Sequence, residues 1–166
     1  MLVAGIPPQP ADKIERVASS TDYISIQVPL VTDDGGVIID AYQVQMDDGL
    51  QGSFFTYYEG VERDLMVGEG FVKSGRTYRF RYRVLNAKGW SDYSEQTRIL
   101  AADVPSKPRT APFLVSVDST QITIGISPCG DPNGSPISEY VVYSQETVDG
   151  TPTEIATLLP GDTFEV

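Results

Sequence analysis

The run Tyr78-Arg79-Phe80-Arg81-Tyr82-Arg83-Val84 alternates without a break. Tyr78, Phe80, Tyr82 and Val84 fall on one side, and Arg79, Arg81 and Arg83 on the other. A period of two marks a strand with one buried face and one wet face, and excludes an amphipathic helix here. Asn86-Ala87-Lys88-Gly89 then supplies turn chemistry before a further strand. A half-buried strand needs a partner layer, so the rest of the chain must provide sheet.

The flanking sequence supplies it. Pro7, Pro8 and Pro10 favour extended backbone and forbid helix, which predicts a short edge strand over Lys13–Val17. Tyr23–Val28 points Ile24, Ile26 and Val28 inward, and Ile38–Met46 does the same with Tyr42 and Val44. Turns follow at Asp33-Asp34-Gly35-Gly36 and Asp47-Asp48-Gly49. Weaker strands are expected at Ser53–Tyr58 and Asp64–Val67, and a last one at Tyr93–Leu100. Seven short strands with regular turn signals and no helical periodicity predict an all-β sandwich.

The pattern then recurs at an offset of 98 residues, Leu2 to Leu100. Pro7 and Pro10 match Pro105 and Pro108; Ile24, Ile26 and Val28 match Ile122, Ile124 and Ile126; Tyr42 and Val44 match Tyr140 and Val142. A duplicated unit of ordinary domain size is expected. The boundaries predicted are a tail of a preceding repeat at 1–6, a full domain at 7–102, a linker at 103–108 and a partial second domain at 109–166. The counterpart of the Tyr78 strand falls past Val166, so the second copy is expected to be truncated and to lack its last strands. They belong either to a longer polypeptide or to another chain, for which Leu2–Ile6 is a candidate donor edge.

Charge and residue types narrow the function. The formal net charge is −11, from 23 acidic and 12 basic residues. Nucleic-acid phosphates need a basic footprint, and an anionic membrane surface needs one too. No apolar run reaches the roughly 20 residues that span a bilayer, and Met1–Ile6 is shorter than a secretory leader. There is no histidine and a single cysteine, Cys129. An internal disulfide is therefore impossible, and with no histidine base and no Ser-centred nucleophile motif the usual triads are unavailable, which argues against an enzyme. Cys129 reads as a passive thiol with no base to activate it.

These residues resemble a fibronectin type III domain. The resemblance covers residues 7–102 and the start of a second copy from 105. It rests on Pro7-Pro8-Gln9-Pro10 and on Ser74-Gly75-Arg76-Thr77-Tyr78, which is similar to the tyrosine corner of such domains. It rests also on Arg79–Asn86 followed by Gly89-Trp90-Ser91 and Ser94, which look like strands F and G. The loop Thr32–Gly36 and the turn Gln45–Gly49 are similar to repeats of very large protist-type surface proteins. One departure stands out: Val28 and Ile126 occupy the strand B position where the family carries Trp. The resemblance implies immunoglobulin-like β-sandwiches in tandem, with Tyr78, Phe80 and Tyr82 in structural roles, and the repeat offset makes the second copy the truncated one.

Several surface features are candidates for function. Arg79, Arg81 and Arg83 share an outer face that Trp90 and Tyr93 follow, and guanidinium–ring stacking is expected between them. Trp90-Ser91-Asp92-Tyr93-Ser94 is similar to the Trp-Ser-x-Trp-Ser box of cytokine receptors. The face reads either as a self-contained stack or as a docking surface for an acidic partner, a second copy included. Asp47, Asp48, Asp103 and Asp131 are weak candidates for a Ca²⁺ site, their ordinary role being in turns. No other cofactor is expected. Asn133-Gly134-Ser135 is an N-glycosylation acceptor pattern, weakened by Pro136 and absent at Gly35-Gly36-Val37 of the first copy.

The proline-restricted linkers Ile6–Pro10 and Val104–Pro108 suit a semi-rigid rod. The expected function is a non-enzymatic structural or adhesive repeat, a spacer and protein-interaction platform in a larger surface or secreted protein able to form filaments. Its first partners are neighbouring repeats of the same polypeptide, then further copies or other surface proteins. The alternatives are a receptor-like module using the Arg79/Arg81/Arg83–Trp90 face and an intracellular filament component.

Overall fold

The computed structural model describes residues 6–9, 12–161 and 164–165. Residues 1–5 of the leading tail expected at 1–6, and with them most of the candidate donor edge Leu2–Ile6, lie outside the described residues, as do Pro10 and Val166. The chain divides into two compact units, Met1–Asp103 and Val104–Val166. All regular structure among the described residues is strand.

Unit one is a two-sheet sandwich. Strands β1 (Glu15–Ser19), β2 (Ile24–Gln27) and β5 (Asp64–Val67) form one sheet in the order β1-β2-β5. Strands β3 (Ile39–Met46), β4 (Phe55–Gly60), β6 (Thr77–Asn86) and β7 (Gly89–Trp90) form the other in the order β4-β3-β6-β7, with β8 (Thr97–Leu100) also paired to β6. The long β3–β6 pairing sets Tyr42 opposite Val84, Val44 opposite Tyr82 and Met46 opposite Phe80.

The alternation that predicts β6 is realised in the packing. Tyr78, Phe80, Tyr82 and Val84 are fully buried in one cluster with Ile24, Ile26, Val28, Val44, Met46 and Val67. Each such side chain contributes about 1.5–3 kcal/mol by leaving water. Val28, at the position where the resemblance leads one to expect Trp, is fully buried in that cluster together with Phe80 and Tyr82.

Strand β4 lies two residues later than the expected Ser53–Tyr58, and two further strands differ more deeply from the sequence expectation. The first begins at Glu15, because Ile14 turns into the core and a bulge between Arg16 and Ala18 shifts the register, leaving Val17 exposed. The last is broken. Between β7 and β8 the Ser91 and Ser94 amides donate to the Val84 and Tyr82 carbonyls, while their hydroxyls accept from the Val84 and Tyr82 amides. Side-chain oxygens thus stand in for backbone acceptors, and the segment runs beside β6 without a regular ladder.

Unit two repeats the first five strand positions. Strands β9 (Phe113–Val117), β10 (Ile122–Gly125) and β13 (Phe164–Glu165) form the order β13-β10-β9, and β11 (Tyr140–Ser144) pairs β12 (Thr153–Leu158). Val142 and Leu158 are buried, whereas Phe113, Leu114, Val115 and Tyr143 are exposed.

Candidate functional site: an arginine–aromatic ladder

Strand β6 turns Tyr78, Phe80 and Tyr82 inward, so Arg79, Arg81 and Arg83 must stand on the outer face, where β3 presents Gln45 opposite Arg81 and Gln43 opposite Arg83. Arg81 Nε and Nη2 donate to Gln45 Oε1 at 3.0 and 2.8 Å. Arg83 Nε donates to Gln43 Oε1 at 2.9 Å, and the Tyr93 hydroxyl donates to the same oxygen at 3.1 Å. Gln43 Nε2 completes the row with a bond to Glu59. Each glutamine accepts from a guanidinium and so fixes its plane.

Rings fill the gaps between those planes. The Arg81 guanidinium carbon lies 4.2 Å from the Phe54 ring centre and 4.0 Å from that of Tyr93. Arg83 lies 5.0 Å from Tyr93 and 4.5 Å from Trp90, and Arg79 lies 4.9 Å from Phe54. The order along the face is therefore Arg79, Phe54, Arg81, Tyr93, Arg83, Trp90. The five residues singled out in the sequence are brought together, and Phe54 joins them. Phe54 sits just before β4, inside the strand expected at Ser53–Tyr58, where no alternation marked it as facing the arginines.

Arg79 has the strongest partner. Its Nε donates to Asp47 Oδ2 at 2.7 Å in an ion pair whose carboxylate is fully buried, and its Nη2 donates to the Gly52 carbonyl. Asp47 Oδ1 accepts from the Arg79 and Gly49 amides. Asp48 Oδ1 accepts from the Leu50 and Gly52 amides, and those bonds hold its carboxyl below the usual range.

The remaining candidates lie elsewhere. Asp103 accepts from Ser20 Oγ, and Asp131 accepts from the Asn133 amide. Among the described residues no three carboxylate, cysteine or histidine groups gather as a metal site. Asn133 takes a left-handed conformation, with φ of 50°, and its Nδ2 donates to the Val104 carbonyl at 2.7 Å. The Tyr78 hydroxyl accepts from the Lys73 amide at 2.7 Å, closing the loop before β6. Cys129 is a half-buried free thiol whose amide donates to the Tyr140 hydroxyl. No helix of the described residues is long and apolar enough to cross a membrane.

No protein-family model matches the chain. The chain is similar to fibronectin type-III domain-containing protein 3A of Pongo abelii and of Homo sapiens, with 29% identity over 172 residues and 96% of this chain covered in each. It spans about 15% of the length of those curated relatives. Among solved structures it matches a human fourth FNIII domain with a TM-score of 0.55 and 21% identity, over 66% of this chain and 92% of that one. Domains A168–A170 of titin match with a TM-score of 0.51 and 21% identity, over 57% of this chain and 32% of that one. The fold is a fibronectin type III β-sandwich.

Proposed function

We propose that the chain is a non-enzymatic structural module: a stiff spacer and protein-interaction platform whose first partners are neighbouring repeats of its own polypeptide. One observation carries the reading, the tying of each proline-rich lead-in to the sandwich that follows it. In unit one the Ile6 and Gln9 amides donate to the Gly35 and Asp33 carbonyls. In unit two the Ser106 amide donates to the Asp131 carbonyl, and Ser106 Oγ accepts from the Asp131 amide. Asp33 and Asp131 are repeat mates, so the tie is made twice at the same place. A proline-restricted segment anchored in this way has little freedom left.

The ladder serves the same end, since its rings and guanidinium planes occupy one another and stiffen the outer sheet face. The proposal includes a place in a surface or secreted array. Spin labels on cysteines placed at the exposed positions Glu62 and Glu146, with Cys129 replaced by Ser, test the proposal by pulsed distance measurement. A spacer gives one narrow distance distribution; a broad distribution rules the spacer out.

A further inference from the structure

Beside the ladder, at the start of β6, a second group of arginines is not closed on itself. Arg76, Arg79 and Arg98 line an open pocket of about 350 Å³ together with Thr77 and Gln51. Arg79 and Arg98 stand directly opposite each other on β6 and β8. Like charges facing across an antiparallel pair are unfavourable, so this placement runs against the sheet's own stability. Departures of that kind concentrate where a site has a task.

The three guanidiniums differ in what they already hold. Arg79 is engaged by Asp47 and the Gly52 carbonyl. Arg76 gives one Nη1 bond to the Asp48 carbonyl oxygen. The Arg98 guanidinium is exposed and has no hydrogen-bond or ion-pair partner among the described residues. The wall opposite is fixed in advance: Asp48 caps the Leu50 and Gly52 amides, and Gln51 is held at φ of 65°, a conformation rare for a residue with a side chain.

We propose that this pocket binds a single carboxylate of a partner polypeptide, with Arg98 as the forked donor and Arg76 as the second. A guanidinium offers two parallel N–H groups that match a carboxylate, and a preformed wall lowers the cost of ordering on binding. Charge selects the partner class. Three arginines against the two aspartates Asp47 and Asp48 leave the pocket one positive charge, while the chain as a whole carries −11. That balance suits one glutamate, aspartate or chain terminus and repels a dense polyanion such as a sulfated glycan. The inference goes beyond the spacer reading and stands or falls separately from it.

The test follows arginine Nε–Hε resonances by NMR in the full chain. The probe is the blocked peptide acetyl-Gly-Glu-Gly-amide, the control is its Gln counterpart, and a sulfated disaccharide is the polyanion. The expected result is saturable shifts at Arg98 and Arg76 with a dissociation constant on the order of millimolar, as befits one charged contact. The Gln peptide should give no saturable shift. Arg98→Gln should weaken binding at least about fivefold and Arg98→Lys less, because lysine keeps the charge and loses the fork. Arg98 is exposed and faces Arg79, so a melting profile unchanged in Arg98→Lys and unchanged or raised in Arg98→Gln certifies that the variants are folded. Equal shifts with the Gln peptide, no saturable shift at all, or tighter binding of the sulfated disaccharide would each overturn the proposal.

Discussion

Asp47 and Arg79 exchange three hydrogen bonds. The Asp47 amide donates to the Arg79 carbonyl at 3.2 Å, the Arg79 amide donates to Asp47 Oδ1 at 2.9 Å, and Arg79 Nε donates to Asp47 Oδ2 at 2.7 Å. The end of β3 and the start of β6 are thereby clamped beneath the ladder. Removing one member of a buried pair leaves the other charged and unsatisfied, which costs about 3 kcal/mol. Asp47→Ala should lose about that much, and Asp47→Asn less, because its amide oxygen still accepts from the Arg79 amide. Trp90 is the single tryptophan, so its fluorescence in a urea titration reports unit one. A loss below about 1 kcal/mol for Asp47→Ala would mean that the clamp is incidental.

The ladder predicts coupling between residues far apart in sequence. Arg81 lies between Phe54 and Tyr93, all three half-buried. A double-mutant cycle of Arg81→Ala with Phe54→Ala should give a coupling energy of about 0.5–1 kcal/mol. Arg81→Lys should lose most of it, since an ammonium cannot keep both bonds to Gln45 and both ring contacts. Additive effects in the cycle would reduce the stack to mere proximity. The variant Arg81→Glu/Arg83→Glu addresses docking of a second copy through this face: sedimentation identical to the parent chain removes that use of the ladder.

The strand at the centre of unit one was legible because a period of two cannot be mistaken for a helix, and because its inward side carries three large rings. The same logic located β2, β3 and β5 to within a residue or two. What escaped has physical causes. The break after Trp90 was hidden because Ser91 and Ser94 supply through their hydroxyls what a ladder supplies through carbonyls. Phe54 escaped because the weak strand expected at Ser53–Tyr58 carried no alternation to say which face the ring would take. Arg98 carried no signal of its own; only the β6–β8 register, which sets it against Arg79, gives it meaning. The lead-in segments read as proline-restricted, yet nothing in their composition revealed which loop they would bond to.

Tyr82 makes unit one sensitive to alkali. Its side chain is fully buried, and among the described residues its hydroxyl has no well-formed hydrogen bond, the Asp12 backbone lying close enough to relieve this in part. Burial first, then the charges of Asp12 and Tyr42, push it from 10.0 up to about 12. The unfolded chain therefore releases this proton near pH 10 while the folded chain keeps it. Stability from this group is fully present below pH 10 and falls as pH rises through the folded value, by roughly 2 kcal/mol in all. Tyr82→Phe removes both the orphan hydroxyl and the titration. At neutral pH it should match or exceed the parent by up to about 1 kcal/mol. Between pH 10 and 12 its stability should fall less steeply, with a smaller residual slope from Tyr57, which burial also raises. Parallel alkaline slopes for parent and variant would show that Tyr82 ionises freely in the folded chain.

Asn86 and Asn133 hold equivalent points of the two lead-ins by different routes. Asn86, nearly fully buried at the end of β6, donates through Nδ2 to the Ile6 carbonyl at 2.9 Å and the Asp34 carbonyl at 2.8 Å. Gly35 beside it has φ of +71°, and a Cβ there would run into the Ile6 carbonyl oxygen. In unit two the repeat mate of Gly35 is Asn133, whose own amide reaches the Val104 carbonyl, the mate of Ile6. A glycan on Asn133 would remove that donor geometry, so the tie and the modification compete for one nitrogen. Asn86→Ala should cost about 2 kcal/mol, because two carbonyls lose their donor at once. Asn86→Asp should cost more, since it sets a carboxylate oxygen against both. Asn133→Gly keeps the left-handed backbone and removes only the tie; it should leave the Trp90 transition unchanged while speeding hydrogen exchange at the Ser106 amide. Wild-type exchange at Ser106 in that variant, or an Asn86→Asp variant as stable as the parent, would show that the side-chain amides do not anchor the lead-ins.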